Sequence, residues 1–176
     1  IGIDDLSTGN KNVLPTHKNF RFIKGDCANN NDLKKISEKI DIIIHLAGQS
    51  SGELSFYNPL NDLERNFLTT VKLVDFYLKK KSKQFIYASS MSVYGNYLYK
   101  KVKEDDVCKP ISFYGLSKLN SENYIKMYSK KKINYTILRL FNVYGPGQKL
   151  NNLKQGIIRI YLSLIKKNKK LVVKGS

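Results

Sequence analysis

Six residues, Asp41-Ile42-Ile43-Ile44-His45-Leu46, put a continuous β-branched run in the first third of this 176-residue chain. Alternation of apolar and polar residues would mark a strand with one wet face. An unbroken run predicts a strand buried on both faces of a parallel sheet. Phe20-Arg21-Phe22-Ile23, Phe85-Ile86-Tyr87-Ala88 and Tyr135 to Leu140 read as further strands, and Ile1-Gly2-Ile3 as the tail of another. Amphipathic stretches lie between them. One is capped by Asn31 or Asp32 and runs to about Lys39. A second runs from Leu60 to about Lys80, with Leu63, Phe67, Val71, Val74 and Leu78 near helical spacing, and a third from Phe113 to about Lys131. Strand–helix alternation predicts an α/β fold with a parallel sheet and right-handed crossovers. In such folds ligands gather beyond the carboxyl ends of the strands. The small and polar residues fall there: Asp4-Asp5, Gly25-Asp26, Ala47-Gly48-Gln49 and Ser89-Ser90.

One constellation carries chemistry. Tyr114 and Lys118 are four residues apart on a predicted helix and so share a face. A free phenol titrates near ~10. A neighbouring ammonium favours the phenolate, so Lys118 is expected to bring Tyr114 towards neutrality. Ser90, at a strand end, can share a substrate oxygen with the phenol. Together they suggest removal of a proton from an alcohol, the companion of hydride transfer to a nicotinamide.

Composition removes other classes. Hydrophobic residues make up 41% of the chain, which reads as globular. No apolar run reaches the ~18 to 20 residues of a membrane span. Ile1 to Asp5 lacks a basic segment followed by an apolar stretch, so no signal peptide is expected and the cytoplasm is the expected location. Cys27 and Cys108 have no CxxC or His spacing, so they are expected to be free thiols, with no metal site. The net charge of +17 is mostly Lys; Arg occurs at 21, 65, 139 and 159 only. Base readout leans on Arg, so the Lys runs are read as solvated surface rather than a nucleic-acid footprint. A basic protein would still attract an anionic nucleotide.

Beyond Leu140 the pattern changes to the turn-rich Asn142-Val143-Tyr144-Gly145-Pro146-Gly147, a helix from about Leu153 to Lys167 and a strand over 171–174. Taken in order, Asp4-Asp5-Leu6-Ser7-Thr8-Gly9, Lys24-Gly25-Asp26, His45-Leu46-Ala47-Gly48-Gln49-Ser50, Asn58-Pro59-Leu60 with Asn66, Ser89 to Gly95, Tyr114 to Lys118 and Arg139 to Gly147 resemble the extended short-chain dehydrogenase/reductase family, in its NAD-dependent nucleotide-sugar epimerase/dehydratase branch.

The resemblance implies a Rossmann-type parallel sheet with flanking helices over residues 1–140, and the beginning of a substrate-binding region over 141–176. It implies NAD as cofactor, with Asp4 on the adenosine ribose hydroxyls; a carboxylate there repels a 2′-phosphate and so suits NAD over NADP. Asp5 joins Asp4, Asp26 and Cys27 resemble the adenine-edge pair, and Leu46, Ala47 and Gly48 should line the dinucleotide. Asn66, Ser89 and Phe141 complete the cofactor-facing set, and Asn66 is expected to brace the active-site loop. Tyr114 is the implied base, Lys118 also holds the nicotinamide ribose, and Ser90 orients the reacting hydroxyl. Gln49, Asn142 and Gln155 resemble positions facing a nucleotide-sugar, most simply a UDP-sugar. Family dehydratases carry Asp-Glu where this chain has Met91-Ser92, so dehydration is disfavoured and 4-epimerisation is the reaction expected. The alternatives are a single oxidation or reduction of the sugar, or a non-catalytic binding protein on the same fold.

The family's first strand and GxxGxxG phosphate turn have no counterpart in residues 1–176. The chain is therefore expected to be an internal piece of a longer epimerase, to bind NAD poorly and to have little or no activity by itself. A homodimer through the Leu60–Lys80 and Phe113–Lys131 helices is expected for the longer form.

Overall fold

The computed structural model describes residues 1–96, 101–128, 133–145 and 157–170. Its strands are β1 (Gly2–Asp4), β2 (Phe22–Lys24), β3 (Ile42–His45), β4 (Gln84–Ser90) and β5 (Tyr135–Leu140). Its helices are α1 (Asn30–Lys34), α2 (Gly52–Tyr57), α3 (Pro59–Asp62), α4 (Thr69–Lys80), α5 (Phe113–Met127) and α6 (Ile157–Lys166). A π turn, Leu63–Leu68, joins α3 to α4, and a 3-10 turn, Met91–Val93, follows β4. The chain forms two compact units, Ile1–Arg139 and Leu140–Ser176. The predicted strand over 171–174 lies outside the described residues.

Strand–helix alternation produces the parallel architecture expected of it, Rossmann-like, with helices in the crossovers. β1 pairs with β2 in parallel, Ile3 opposite Ile23. β3 pairs with β4 in parallel, Ile44 opposite Ile86, and β5 follows β4 in the same sheet. The core sits between α4, α5 and the larger sheet: Leu73, Val74 and Tyr77 pack with Ile43, Phe85, Tyr87 and Ile125. Each such fully buried side chain contributes roughly 1.5–3 kcal/mol. Tyr77 meets Phe85 edge-on, ring centroids 5.9 Å apart.

Two expectations are corrected. β3 is not buried on both faces: Ile43 and His45 point inward, but Ile42 and Ile44 are 54% and 60% exposed. β1 and β3 belong to separate sheets. A cleft of about 770 Å³ is lined by both, and Ile42 and Ile44 face it instead of a helix. The α1 cap is Asn29, whose side chain accepts from Asn31 N at 2.8 Å. Asp32 serves the preceding turn instead, its Oδ2 accepting from Asp26 N at 2.9 Å. It thereby ties the Gly25-Asp26 loop to the helix.

Candidate active site

One strand end and one helix build the reactive cluster. β4 is buried along most of its length, so its carboxyl end delivers Ser89 and Ser90 at a fixed place. Ser112 caps α5, its Oγ accepting from Gly115 N at 3.1 Å. α5 then presents Tyr114, Lys118 and Glu122 on one face, all three buried. Close approach is possible because residue 115 is Gly: a Cβ there would lie 2.5 Å from Ser92 O. α5 therefore packs directly on the 3-10 turn after Ser90.

The Ser90 hydroxyl lies near enough to the Tyr114 phenol to favour its ionised form. Ser90 Oγ also lies 3.2 Å from Ser92 Oγ and accepts from Ser92 N at 3.2 Å. Lys118 Nζ donates to Ala88 O at 3.0 Å and lies 5.0 Å from the Tyr87 ring centre and 5.8 Å from that of Tyr114. Serine, tyrosine and lysine thus converge, as their spacing suggests.

Their electrostatics differ from the sequence expectation. Burial pushes the Tyr114 phenol up, the nearby Ser90 hydroxyl opposes this, and the Asp62 charge adds to the rise. Lys118 does not lower it here, because the ammonium is itself buried and aimed at a backbone carbonyl. Burial lowers Lys118 to about 8, against an opposing pull from Asp62. In the free protein the phenol is neutral and the lysine is mostly, not wholly, charged at pH 7.

His45 is a packing residue. Burial first, then the Lys118 charge, push it down to about 3. Thr70 donates its hydroxyl proton to Asn66 O at 2.8 Å. Its Oγ1, 3.0 Å from His45 Nε2, must then accept, which fixes the Nε2–H tautomer.

A second group lies along the cleft. Asp4, Asp5, Asp26, Cys27, Leu46, Ala47 and Gly48 all line it. Asp4 Oδ1 accepts from Leu6 N at 2.6 Å, and Asp5 is held by Ser7 N at 2.8 Å and Arg65 Nη1 at 3.1 Å. The exposed Asp4 at the end of β1 leaves lone pairs for a diol, and apolar Leu46 and Ala47 flank the same space. This donor and acceptor set fits the adenosine half of a dinucleotide. Cys27 is buried, and its thiol is raised by burial to about 11, so it packs as a small apolar residue.

Other predicted residues face inward. Gln49 Nε2 donates to Asp62 Oδ1 and to Ser51 O, both at 2.8 Å, while its Oε1 accepts from Ser51 N. Ser89 Oγ donates to Glu122 Oε1 at 2.6 Å. Asn66 sits in the π turn and donates to Asp62 at 3.0 Å. Phe141 and Asn142 are exposed and belong to the second unit. Gln155 lies outside the described residues.

Sequence reasoning missed Asp62 and Glu122. A lone acidic residue on a helix reads as surface, although the spacing of Glu122, four after Lys118, places it on the buried face of α5. Among the described residues, no group of His, Cys, Asp and Glu could hold a metal ion, and no helix is long and apolar enough to cross a membrane.

Gly48 links cleft and cluster. Its φ is +143°, and a Cβ would lie 2.4 Å from Asn66 Oδ1. Gly48→Ala is expected to destabilise the protein by about 1–3 kcal/mol, read by denaturant unfolding.

The NAD-dependent epimerase/dehydratase family model matches residues 1–176. A protein of Methanocaldococcus jannaschii, provisionally assigned as a UDP-glucose 4-epimerase, is 35% identical over 178 residues, covering 99% of this chain and 57% of that protein. Human dTDP-D-glucose 4,6-dehydratase is 32% identical, covering 100% of this chain and 51% of that protein. The UDP-N-acetylglucosamine 4-epimerase of Methanobrevibacter ruminantium M1, solved with UDP-N-acetylmuramic acid, superposes with a TM-score of 0.91 at 32% identity, covering 99% of this chain and 57% of that one. The chain spans about half the length of the relatives it matches. With this match over its whole length, the chain belongs to the NAD-dependent epimerase/dehydratase family.

Proposed function

We propose that this chain carries the NAD-binding and catalytic part of a nucleotide-sugar 4-epimerase. The observation that supports it is the convergence of Ser90 at the end of β4 with Tyr114 and Lys118, buried on one face of α5, next to Met91-Ser92. In the protein that carries this chain, Tyr114 takes the proton from the sugar C4 hydroxyl, and Ser90 shares that hydroxyl's oxygen. Lys118 holds the ribose nearest the reacting carbon. When bound, NAD would supply the reversible hydride acceptor that oxidation and re-reduction at C4 require. Asp4 and Asp5 hold the adenosine ribose, beside Asp26, Leu46, Ala47 and Gly48. Eliminating water from C5 and C6 needs a further acid and base. Met91 can be neither, which separates this reading from the dehydratases.

Residues 1–140 are the dinucleotide-binding domain in this reading, and 141–176 begin the substrate region, with Asn142 and Gln155 towards the sugar nucleotide. The exposed Phe56, Leu60, Leu63, Phe113 and Leu116, on α2, α3, α5 and the π turn, suit pairing with a second copy. A cytoplasmic location and weak NAD binding by residues 1–176 alone belong to the same reading.

The test is to incubate the protein that carries this chain with UDP-glucose and, separately, UDP-N-acetylglucosamine in the presence of NAD+. The expected products are the C4 epimers, resolved by chromatography. A 4-keto-6-deoxy product would replace this reading with dehydration.

A further inference from the structure

The π turn touches both walls of the cleft. On one side, a Cβ on Gly48, in the turn after β3, would meet Arg65 O at 3.5 Å and Asn66 Oδ1 closer still. On the other, Arg65 Nη1 donates to Asp5 Oδ2 at 3.1 Å and to Ser7 Oγ at 3.3 Å, across 60 and 58 residues of sequence. β1 and β3 belong to separate sheets, so these bonds join elements that do not share a strand ladder. Arg65, Asp4, Asp5, Ser7 and Gly48 all line the space between them.

The loop that Arg65 reaches is tightly shaped. Asp4 Oδ1 accepts from Leu6 N at 2.6 Å, and Asp5 Oδ1 accepts from Ser7 N at 2.8 Å. Leu6 has a φ of +59°, in the left-handed region that a leucine occupies only where its surroundings hold it. The two carboxylates shape the loop from within. Arg65 anchors it from outside, through the second oxygen of Asp5 and the Ser7 hydroxyl. The Arg65 and Asp5 side chains are 43% and 33% exposed. An ion pair so placed adds little to global stability, so its effect falls on the loop it holds.

We propose that Arg65 is a positioning residue of the dinucleotide site: by tying Asp5 and Ser7 to the π turn, it holds the 4–9 loop in the form that receives the adenosine ribose. The inference rests on the reading of this cleft as the adenosine side of the cofactor site. A loop that is already ordered loses less conformational freedom when the dinucleotide binds, so the anchor raises affinity without touching the ligand.

The experiment uses the protein that carries this chain, with Arg65→Met and Arg65→Lys. One nitrogen makes both bonds, so a lysine ammonium can replace it, whereas methionine keeps an apolar stem and removes the donor. Two readouts are taken: amide hydrogen exchange at Leu6 and Ser7 without ligand, and NAD+ affinity by calorimetry. Arg65→Met is expected to speed exchange at both amides and to weaken NAD+ binding about 5-fold, the upper end for a surface ion pair. Arg65→Lys is expected to keep both near the parent values. Unchanged exchange in Arg65→Met overturns the proposal even if affinity falls, because Arg65 would then meet the cofactor directly. Faster exchange with undiminished affinity overturns it too, as does a lysine variant no better than the methionine one. Should Arg65→Met not fold, Ser7→Ala takes its place with the same readouts, and there again an unmoved loop overturns the proposal. Neither readout uses turnover. A loosened loop and weaker NAD+ binding in a protein without epimerase activity sink the functional reading and leave this one standing; an active epimerase whose loop ignores Arg65 does the reverse.

Discussion

Tyr114→Phe is expected to lower sugar turnover by about 10²- to 10⁴-fold, the usual worth of a positioned proton acceptor. The change removes one oxygen from a ring that is already packed, so the fold should be kept. Ser90 keeps its contact with Ser92 at 3.2 Å. Dinucleotide affinity, measured by calorimetry in the protein that carries this chain, should change little. Equal turnover in the variant would remove Tyr114 from the chemistry. A pH profile adds an independent check. Lys118 has its proton held to about 8 in the folded protein. Below that value the ammonium is present to hold the ribose of the bound dinucleotide; above it that charge-assisted hydrogen bond is lost. The rate constant kcat/KM, which follows groups of the free enzyme, should therefore decline above about pH 8.

Arg139→Met is expected to give the largest loss of stability. Glu122 is fully buried. It accepts from Arg139 Nε at 3.0 Å and Nη2 at 2.8 Å, from Ser89 Oγ at 2.6 Å and from Lys126 Nζ at 3.4 Å. Arg139 also lies over Tyr94, 4.8 Å from its ring centre, and donates to Glu104 O at 2.9 Å. One carboxylate thus ties α5, the end of β4 and β5 together. Removing the guanidinium leaves that carboxylate in the interior with the half-exposed Lys126 as its remaining cation, at a cost of about 3–5 kcal/mol. For a chain of this size that is a fall in Tm on the order of 10 °C. A fall within 2 °C, roughly half a kcal/mol, would show that water reaches Glu122 or that the helix shifts to expose it.

The same pair gives a pH signature. Burial alone would raise Glu122, but hydrogen bonds from Arg139 and Ser89 and the charges of Arg139 and Lys126 outweigh it, and the net direction is down. A depressed carboxyl contributes stability that is present above its unfolded value, ~4.3, and is lost as pH falls through the folded value. Thermal unfolding of the native protein should therefore show added acid sensitivity below pH ~4 that the Arg139→Met variant lacks.

Much of the site was legible before any coordinates. The spacing of Tyr114 and Lys118 dictates a shared helix face, and the buried run Phe85–Ala88 dictates where Ser89 and Ser90 emerge. The motif order from Asp4 to Gly147 pointed to the family that the comparisons bear out. Those features are local: helical and strand periods turn residue number directly into direction.

What the linear order could not decide was the surroundings of each group. Ile42 and Ile44 belong to an unbroken apolar run, yet whether both faces of β3 are covered depends on strands distant in sequence, and β3 does not pair with β1. Tyr114 sits one helical turn from an ammonium, yet its direction of shift is set first by burial, a sum over every element packed around it. Asp62 and Glu122 look like ordinary surface acids until α3, α5 and β5 close over them. Periodicity is written in neighbours along the chain, whereas burial and the charges it leaves unscreened are properties of neighbours in space.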